Sequence, residues 1–106
     1  MGVPAVGMGV VVIGNDNKLL ICYNSGDGTL RWKFRTNGSI KSSAVIGGDK
    51  VLFGSDDGYV YLLGISDGVK KWSFNCGSPV SSSPAVTKDR FYILTEDGRL
   101  LAFGIK

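Results

Sequence analysis

Carboxylate side chains are the first candidates for chemistry in this sequence, because they recur in three similar short segments. The segments read GNDNK, GSDDG and TEDGR and contain Asp16, Asp56, Asp57, Glu96 and Asp97. A calcium loop needs several oxygen ligands at regular spacing and a closing bidentate carboxylate, and no such closing residue follows these segments. We therefore predict no metal site there and interpret the acidic segments as hairpin turns.

The sequence offers few residues for acid–base or covalent catalysis. It contains no histidine, the commonest general base and metal ligand. The serines at 42–43 and 81–83 have no base placed beside them, so we expect small packing residues and no nucleophile. Cys22 and Cys76 lack the short spacing of a metal site, and we expect two buried thiols. A disulfide between them stays an open alternative, because the sequence does not place their Cβ atoms.

Trp32 and Trp72 are the last candidates, since an indole ring can stack on a flat ligand. Their separation is also the period of a repeat, in which Asn17, Asp57 and Asp97 share one register. Self-similarity at a fixed period of about 20–50 residues is the signature of a repeat architecture. Because the tryptophans occupy equivalent repeat positions, we predict that they dock one repeat unit against the next.

Each repeat unit consists of short runs rich in Val, Ile, Leu, Phe and Tyr that end at Asp, Asn, Gly or Ser, a pattern typical of strands and turns. Runs such as VVVI, VLF and LLAF are apolar on both faces, as in a sheet that is buried on both sides. Four short antiparallel strands in each unit predict the blades of a β-propeller. The small-residue stretches would form the innermost strands, and the tryptophans would lie on the outermost strands.

The turns between these strands have recognisable residues. A tight hairpin needs positive φ, which Asp57-Gly58 and Asp97-Gly98 can supply. Asn17-Lys18 takes the same place in the first unit, and we expect a looser hairpin there because lysine tolerates positive φ poorly. Gly28 and Gly68 mark the next turn along, four residues before each tryptophan, and we assign them to blade docking with Trp32 and Trp72.

The units resemble PQQ-type propeller repeats, which occur in quinoprotein dehydrogenases and in an outer-membrane assembly lipoprotein of the same fold. The resemblance rests on SSSPAV at residues 81–86, on VLFGSDDGYVYLL at residues 51–63, and on the turn glycines that precede the tryptophans. The chain departs from the repeat pattern after the third strand, where the usual Asp is replaced by Asn24, Gly64 and Gly104. The Thr before the turn glycine is replaced by Asp27 and Asp67.

The resemblance implies an all-β fold of four-stranded antiparallel propeller blades, with about 2.75 blades in eleven strands. We place blade 1 at about residues 3–37, blade 2 at about 38–77 and an incomplete blade 3 at about 78–106. Since propellers close with about four to eight blades, the chain is either part of a larger propeller or assembles with itself. A dimer is favoured in the second case, because two chains would supply six blades.

We expect a non-catalytic binding or scaffold segment whose partners are proteins, bound through further blades or self-association. The alternative is a fragment of a PQQ-dependent quinoprotein oxidoreductase, in which PQQ and calcium would bind to residues of the parent enzyme. For this chain we expect no cofactor. The net charge of +3 is mild and the basic residues are scattered, which argues against a nucleic-acid partner. Pro4 and four glycines argue against membrane insertion of the apolar N-terminal stretch, and the resemblance alone suggests an extracytoplasmic location.

Overall fold

The computed structural model describes residues 4–104, which form an all-β arrangement of eleven strands. Residues 1–3 and 105–106, with the outer limits predicted for the first and third blades, lie outside the described residues. The strands pair into three separate antiparallel sheets. Within residues 4–104 there is no helix long and apolar enough to span a membrane.

Each sheet is one blade, and its strands follow the order of the chain. Blade 1 contains β1 (Ala5–Gly7), β2 (Val10–Gly14), β3 (Leu19–Asn24) and β4 (Leu30–Arg35). Blade 2 contains β5 (Val45–Gly47), β6 (Lys50–Gly54), β7 (Tyr59–Gly64) and β8 (Lys70–Asn75). Blade 3 contains β9 (Ala85–Val86), β10 (Arg90–Leu94) and β11 (Leu100–Gly104). This topology confirms the predicted fold class of four-stranded propeller blades with an incomplete third blade.

The blades repeat the same register of paired residues. In blade 1, Cys22 pairs with Val12 on one side and with Trp32 on the other. The equivalent row in blade 2 consists of Leu52, Leu62 and Trp72, and a register shift follows it in both blades. Because successive side chains point to opposite faces of a strand, this row fixes which side chains of a blade face the next blade.

The core consists of two apolar clusters, one between each pair of neighbouring blades. We call the interface of blades 1 and 2 the first seam, and the interface of blades 2 and 3 the second seam. Blade 2 contributes Val51, Phe53 and Leu63 to the first seam, and Leu52 and Val60 from its opposite face to the second. This use of both faces explains why the strands are apolar without alternation.

The hairpins between the second and third strands of each blade all have a residue with positive φ at the same position. Gly58 and Gly98 have φ of +90°, and Lys18, at the equivalent position of blade 1, has φ of +70°. Asn15 N donates to Leu19 O over 3.0 Å, the distance found in the hairpin of blade 2. The second turn bonds, from Gly58 N to Ser55 O and from Gly98 N to Thr95 O, have no counterpart from Lys18 N within residues 4–104, so the expectation of a looser hairpin in blade 1 stays a prediction. The Asn15 side chain supports this turn by accepting hydrogen bonds from the backbone N–H groups of Asn17 and Leu19.

Candidate functional site: blade faces and seams

The first seam is closed by Trp32 of β4. Its indole Nε1–H donates a hydrogen bond to the backbone oxygen of Ile65 over 2.9 Å, and its side chain is buried. A Cβ on Gly68 would lie only 2.5 Å from Cδ2 of Trp32, so the indole ring packs directly on the backbone of the β7–β8 turn. Since a buried indole N–H needs an acceptor, this contact holds Trp32 in one position against blade 2.

Polar contacts extend the first seam towards the surface. Arg31 donates from Nε to the backbone oxygen of Ser66 in blade 2, over 3.2 Å, and from Nη1 to Oδ1 of Asn24 in its own blade, over 2.9 Å. Asn24 is one of the positions at which the chain departs from the usual Asp of the repeat pattern. Here its side-chain amide orients Arg31, which bridges the blades. This role of Arg31 was not predicted, and its only signal in the sequence is its place beside Trp32.

The interior of the first seam contains an aromatic group around Tyr61. Phe34 of blade 1 makes edge contacts with Phe53 and Tyr61 of blade 2, with ring centroids 6.1 and 5.4 Å apart. The Tyr61 hydroxyl donates to Oδ2 of Asp57, and the same oxygen accepts from the backbone N–H of Asn37. Burial, and secondly the hydrogen bond to Asp57, raise the pKa of Tyr61. Asp57 therefore connects its own hairpin with Tyr61 in the first seam and with Asn37 in the segment between blades 1 and 2.

The segment that links one blade to the next packs on a glycine. Ile40 follows blade 1 and lies against Gly14, and Val80 follows blade 2 and lies against Gly54. In both places a Cβ on the glycine would overlap the β-branched side chain. The equivalent position in blade 3 is Leu94, which is 47% exposed. The forward face of blade 3, the side turned away from blade 2, therefore differs in shape from the faces buried in the two seams.

The second seam is organised around Trp72 but is more open. Phe91 and Phe103 of blade 3 meet the edge of the Trp72 ring, with centroids 5.8 and 5.3 Å apart. Trp72 is only partly buried, and it faces a cavity of about 730 Å³ between the two blades. The cavity is lined by Leu52 and Leu62 of blade 2, by Phe91 and Phe103 of blade 3, and by the β5–β6 and β9–β10 turns.

The predicted docking residues have different surroundings in the structure. Trp32 and Gly68 come together across the first seam, although the sequence had associated each glycine with the tryptophan that follows it. Trp72 lies in the second seam. Gly28 lies in an exposed turn of blade 1 where a Cβ would meet nothing within 4 Å, and its role in blade docking stays a prediction. Ile40 and Val80 were missed, although two β-branched residues 40 positions apart, each with its glycine in register, were visible in the sequence.

The predicted hairpin residues lie in the turns between the second and third strands, and their side chains bond locally. Asp57 Oδ1 accepts from the backbone N–H of Tyr59. Asp97 accepts a hydrogen bond from the Thr95 hydroxyl, and its two carboxylate oxygens share the N–H of Arg99 Nε. These contacts, with Thr95 first, lower the pKa of Asp97. Asn17 donates its backbone N–H to Asn15. These bonds stabilise turns.

The other candidate residues form no recognisable reactive centre. Cys22 and Cys76 are free and buried, and burial raises the pKa of each thiol. Ser42 is buried and its hydroxyl donates to the backbone oxygen of Gly54, within the fold of blade 2. Among residues 4–104, no group of three or more His, Cys, Asp or Glu side chains is placed to hold a metal ion.

Comparison with known proteins agrees with this geometry. The family model of the outer membrane protein assembly factor BamB, whose repeats are PQQ-like, matches residues 1–106. The chain belongs to this PQQ-like propeller repeat family. The repeat resemblance stated from the sequence is confirmed, and the three sheets described above are PQQ-like blades.

Solved structures share the fold at low sequence identity. BamB from Moraxella catarrhalis matches with a TM-score of 0.85 and 17% identity, over 95% of this chain and 32% of that protein. The quinohemoprotein alcohol dehydrogenase ADHIIG from Pseudomonas putida HK5 matches with a TM-score of 0.87 and 17% identity, over 97% of this chain and 18% of that protein. The computationally designed Ika4 protein matches with a TM-score of 0.85 and 16% identity, over 97% of this chain and 64% of that protein.

The PQQ-like chain thus spans about a third of BamB and less than a fifth of the dehydrogenase. At these identities the likeness concerns the fold alone, and it extends equally to an assembly factor and to an oxidoreductase. No curated protein matches the chain.

Proposed function

We propose that this chain is a non-catalytic PQQ-like propeller segment that acts as a protein-binding scaffold, as part of a larger propeller. The observation that carries the proposal is the apolar character of the outer faces of blades 1 and 3. On each of these faces, apolar or aromatic residues occupy the positions that contact a neighbouring blade in the two seams. A blade face of this kind binds protein by the same burial of apolar surface that forms the two seams.

The outer face of blade 1 repeats the side of blade 2 that is buried in the first seam. Blade 2 presents Val51, Phe53, Tyr61 and Leu63 to that seam. The equivalent residues of blade 1 are Val11, Ile13, Ile21 and Tyr23, which are apolar or aromatic and only partly buried. Lys33 and Arg35 of β4 border this face, where blade 2 has Ser73 and Asn75. A partner of blade 1 therefore needs an apolar centre and polar groups that accept hydrogen bonds at the outer rim.

The forward face of blade 3 is the second binding surface. Leu100 of β11 is 67% exposed, and Leu94 of β10 lies beside it in the paired strand. Exposed leucines at paired positions are costly in water unless a partner covers them, and together with Tyr92 they continue the apolar row found in blades 1 and 2. Further blades are the partners that such a surface fits best. If the chain is autonomous, self-association into a dimer of six blades is favoured.

The scaffold proposal is tested by comparing the solution mass of the native chain with the masses of two variants. One variant changes the forward face of blade 3, and the other is a control at a different exposed position. Leu94→Glu places a charge on that face, whereas Val69→Glu places the same charge on a residue of similar exposure in the β7–β8 turn. The proposal predicts association of the native chain that Leu94→Glu weakens and Val69→Glu leaves unchanged. Equal association of all three chains would overturn the role given to this face.

The alternative function, a fragment of a PQQ-dependent oxidoreductase, is favoured only by the likeness to dehydrogenases. PQQ and calcium belong in that case to a parent enzyme. Titration with PQQ and calcium, followed by absorbance and by reduction of a dye, separates the two functions. The scaffold proposal predicts no saturable binding and no turnover, and saturable binding with turnover would replace it. We further propose an extracytoplasmic location, on the ground of family membership.

A further inference from the structure

The segment between blades 1 and 2 contains the pair Asn37-Gly38. The chain has five asparagines, and this is the one that glycine follows. Asn37 is exposed. Within residues 4–104 its side-chain amide makes no hydrogen bond, whereas its backbone N–H donates to Oδ2 of Asp57 over 3.1 Å. The backbone of this residue is therefore held in place while its amide is free to react.

The group that can attack this amide is the backbone nitrogen of Gly38. Within residues 4–104 its N–H makes one long hydrogen bond, to Oγ1 of Thr36 over 3.4 Å. Glycine has no side chain to crowd the attacking nitrogen or to restrict the backbone angles of ring closure. The attack forms a bond from this nitrogen to Cγ of Asn37 and breaks the bond from Cγ to Nδ2. Ammonia leaves with the proton of the attacking nitrogen, and a cyclic succinimide remains.

Water then opens the succinimide at one of its two carbonyl carbons. Opening at the side-chain carbon gives aspartate and leaves the main chain unchanged. Opening at the backbone carbon gives isoaspartate, in which the main chain passes through Cβ and Cγ and is one carbon longer. Both products place a carboxylate on the residue whose N–H binds the carboxylate of Asp57.

The main chain next to Asn37 is packed too closely to accommodate an extra carbon. A Cβ on Gly38 would lie 2.4 Å from the backbone nitrogen of Asp57, so the segment packs directly on the hairpin of blade 2. The Gly38 carbonyl accepts hydrogen bonds from the hydroxyls of Thr36 and Ser55 over 2.6 and 3.2 Å, and both residues are buried. A longer main chain displaces this carbonyl, and buried hydroxyls that lose a partner destabilise the fold.

We propose that Asn37 is a modification site, at which deamidation through attack by Gly38 weakens the packing of the segment between blades 1 and 2 on the hairpin of blade 2. The inference goes beyond the proposed protein-binding function and does not rest on it. Asn24 provides the comparison within the chain, because serine follows it and its amide is held on both sides. Its Nδ2 donates to the hydroxyl of Thr29, and its Oδ1 accepts from the guanidinium of Arg31.

Incubation of the full chain in isotopically labelled water, followed by tryptic digestion in ordinary water, measures the reaction at each site. Asn37 falls in the peptide of residues 36–41 and Asn24 in the peptide of residues 19–31. We expect residues 36–41 to gain a labelled oxygen at least about tenfold faster, because Asn24 must first break a hydrogen bond to a charged group. Asn37→Gln should abolish this gain, and Asn17→Gln, at another exposed asparagine, should not change it. Equal rates in the two peptides would overturn the site.

The stability of the isoaspartate form tests the effect on packing. Ion exchange separates the deamidated chains, which have one more negative charge, and electron-transfer fragmentation identifies the isoaspartate. We expect this form to unfold at a lower urea concentration than the native chain. Asn37→Asp adds the charge without lengthening the main chain and should lose less stability. An isoaspartate form that unfolds at the same urea concentration as the native chain would contradict the weakened packing.

Discussion

Trp32 of blade 1 packs on the backbone of Gly68 in blade 2, 36 residues further along the chain. The indole N–H binds the carbonyl of Ile65, three residues before that glycine. The contact joins the outermost strand of one blade to the last turn of the next, so it closes the seam at its rim. The Trp32 side chain and the absence of a Cβ at Gly68 are together enough to mark the junction between blades 1 and 2.

Alanine substitutions at Gly68 and Gly28 should distinguish the stability lost through poorer blade docking from the stability lost through backbone strain. Gly68 and Gly28 have φ of +67° and +73°, so alanine at either position carries a left-handed cost of about 1–2 kcal/mol. Only at Gly68 does the new Cβ also meet an indole ring. We expect Gly68→Ala to lower the free energy of unfolding by about 1–3 kcal/mol more than Gly28→Ala. Urea unfolding of both variants measures the difference, and equal losses would mean that Trp32 moves aside freely.

Gly54, which packs against Val80 in the segment that links blades 2 and 3, gives a second test of blade packing. Gly54→Ala introduces a Cβ that overlaps Val80 and should destabilise the chain by about 1–3 kcal/mol. Leu94 is the equivalent residue of blade 3 and is half exposed, so Leu94→Ala should change stability by no more than about 0.5 kcal/mol. Thermal and urea unfolding compare the two variants. A larger loss for Leu94→Ala would show that the forward face of blade 3 is covered within the chain itself.

Tyr61 should make the fold sensitive to alkaline pH. Burial and the bond to Asp57 raise its pKa above the ordinary value of 10.0. Its contribution to stability is therefore complete below about pH 10 and is lost as the pH rises towards the raised pKa, because the unfolded chain ionises first. Tyr61→Phe should cost about 1–2 kcal/mol at pH 7 through the lost hydrogen bond, and should lose less stability than the native chain between pH 9 and 11.

The control for this pH dependence is Tyr59→Phe, since Tyr59 is the exposed neighbour of Tyr61 on the same strand. That variant should follow the native pH profile. Parallel profiles of Tyr61→Phe and the native chain would contradict the assignment of alkaline sensitivity to Tyr61.

The two thiols should be protected in the folded chain. Cys22 and Cys76 are free and buried, and burial raises the pKa of each. Because the thiolate is the reactive form, we expect reaction with a disulfide reagent at pH 8 to be more than about tenfold slower in the native chain than in urea. Cys22→Ala and Cys76→Ala assign the two reactions. Rapid modification of either thiol in the native chain would mean that its seam opens readily.

The sequence predicted the blades because their period, turn residues and apolar strands recur three times. It also placed Trp32 and Trp72 at blade junctions from their equivalent positions. It did not distinguish Gly68 from Gly28, because both turns have the same residue pattern and only the neighbouring blade makes them different. The left-handed Lys18 was unexpected for a similar reason: the side chain of Asn15 and the paired strands impose a conformation that lysine alone disfavours.

The solution mass of the native chain tests the central claim, that its blade faces bind protein, most directly. Light scattering on a sizing column should give a mass that rises above the 11.3 kDa of a single chain as the concentration increases. Leu94→Glu should bring that mass back towards one chain, and Val69→Glu should not. A native chain that remains a monomer at every concentration, with both blade faces in water, would contradict the claim.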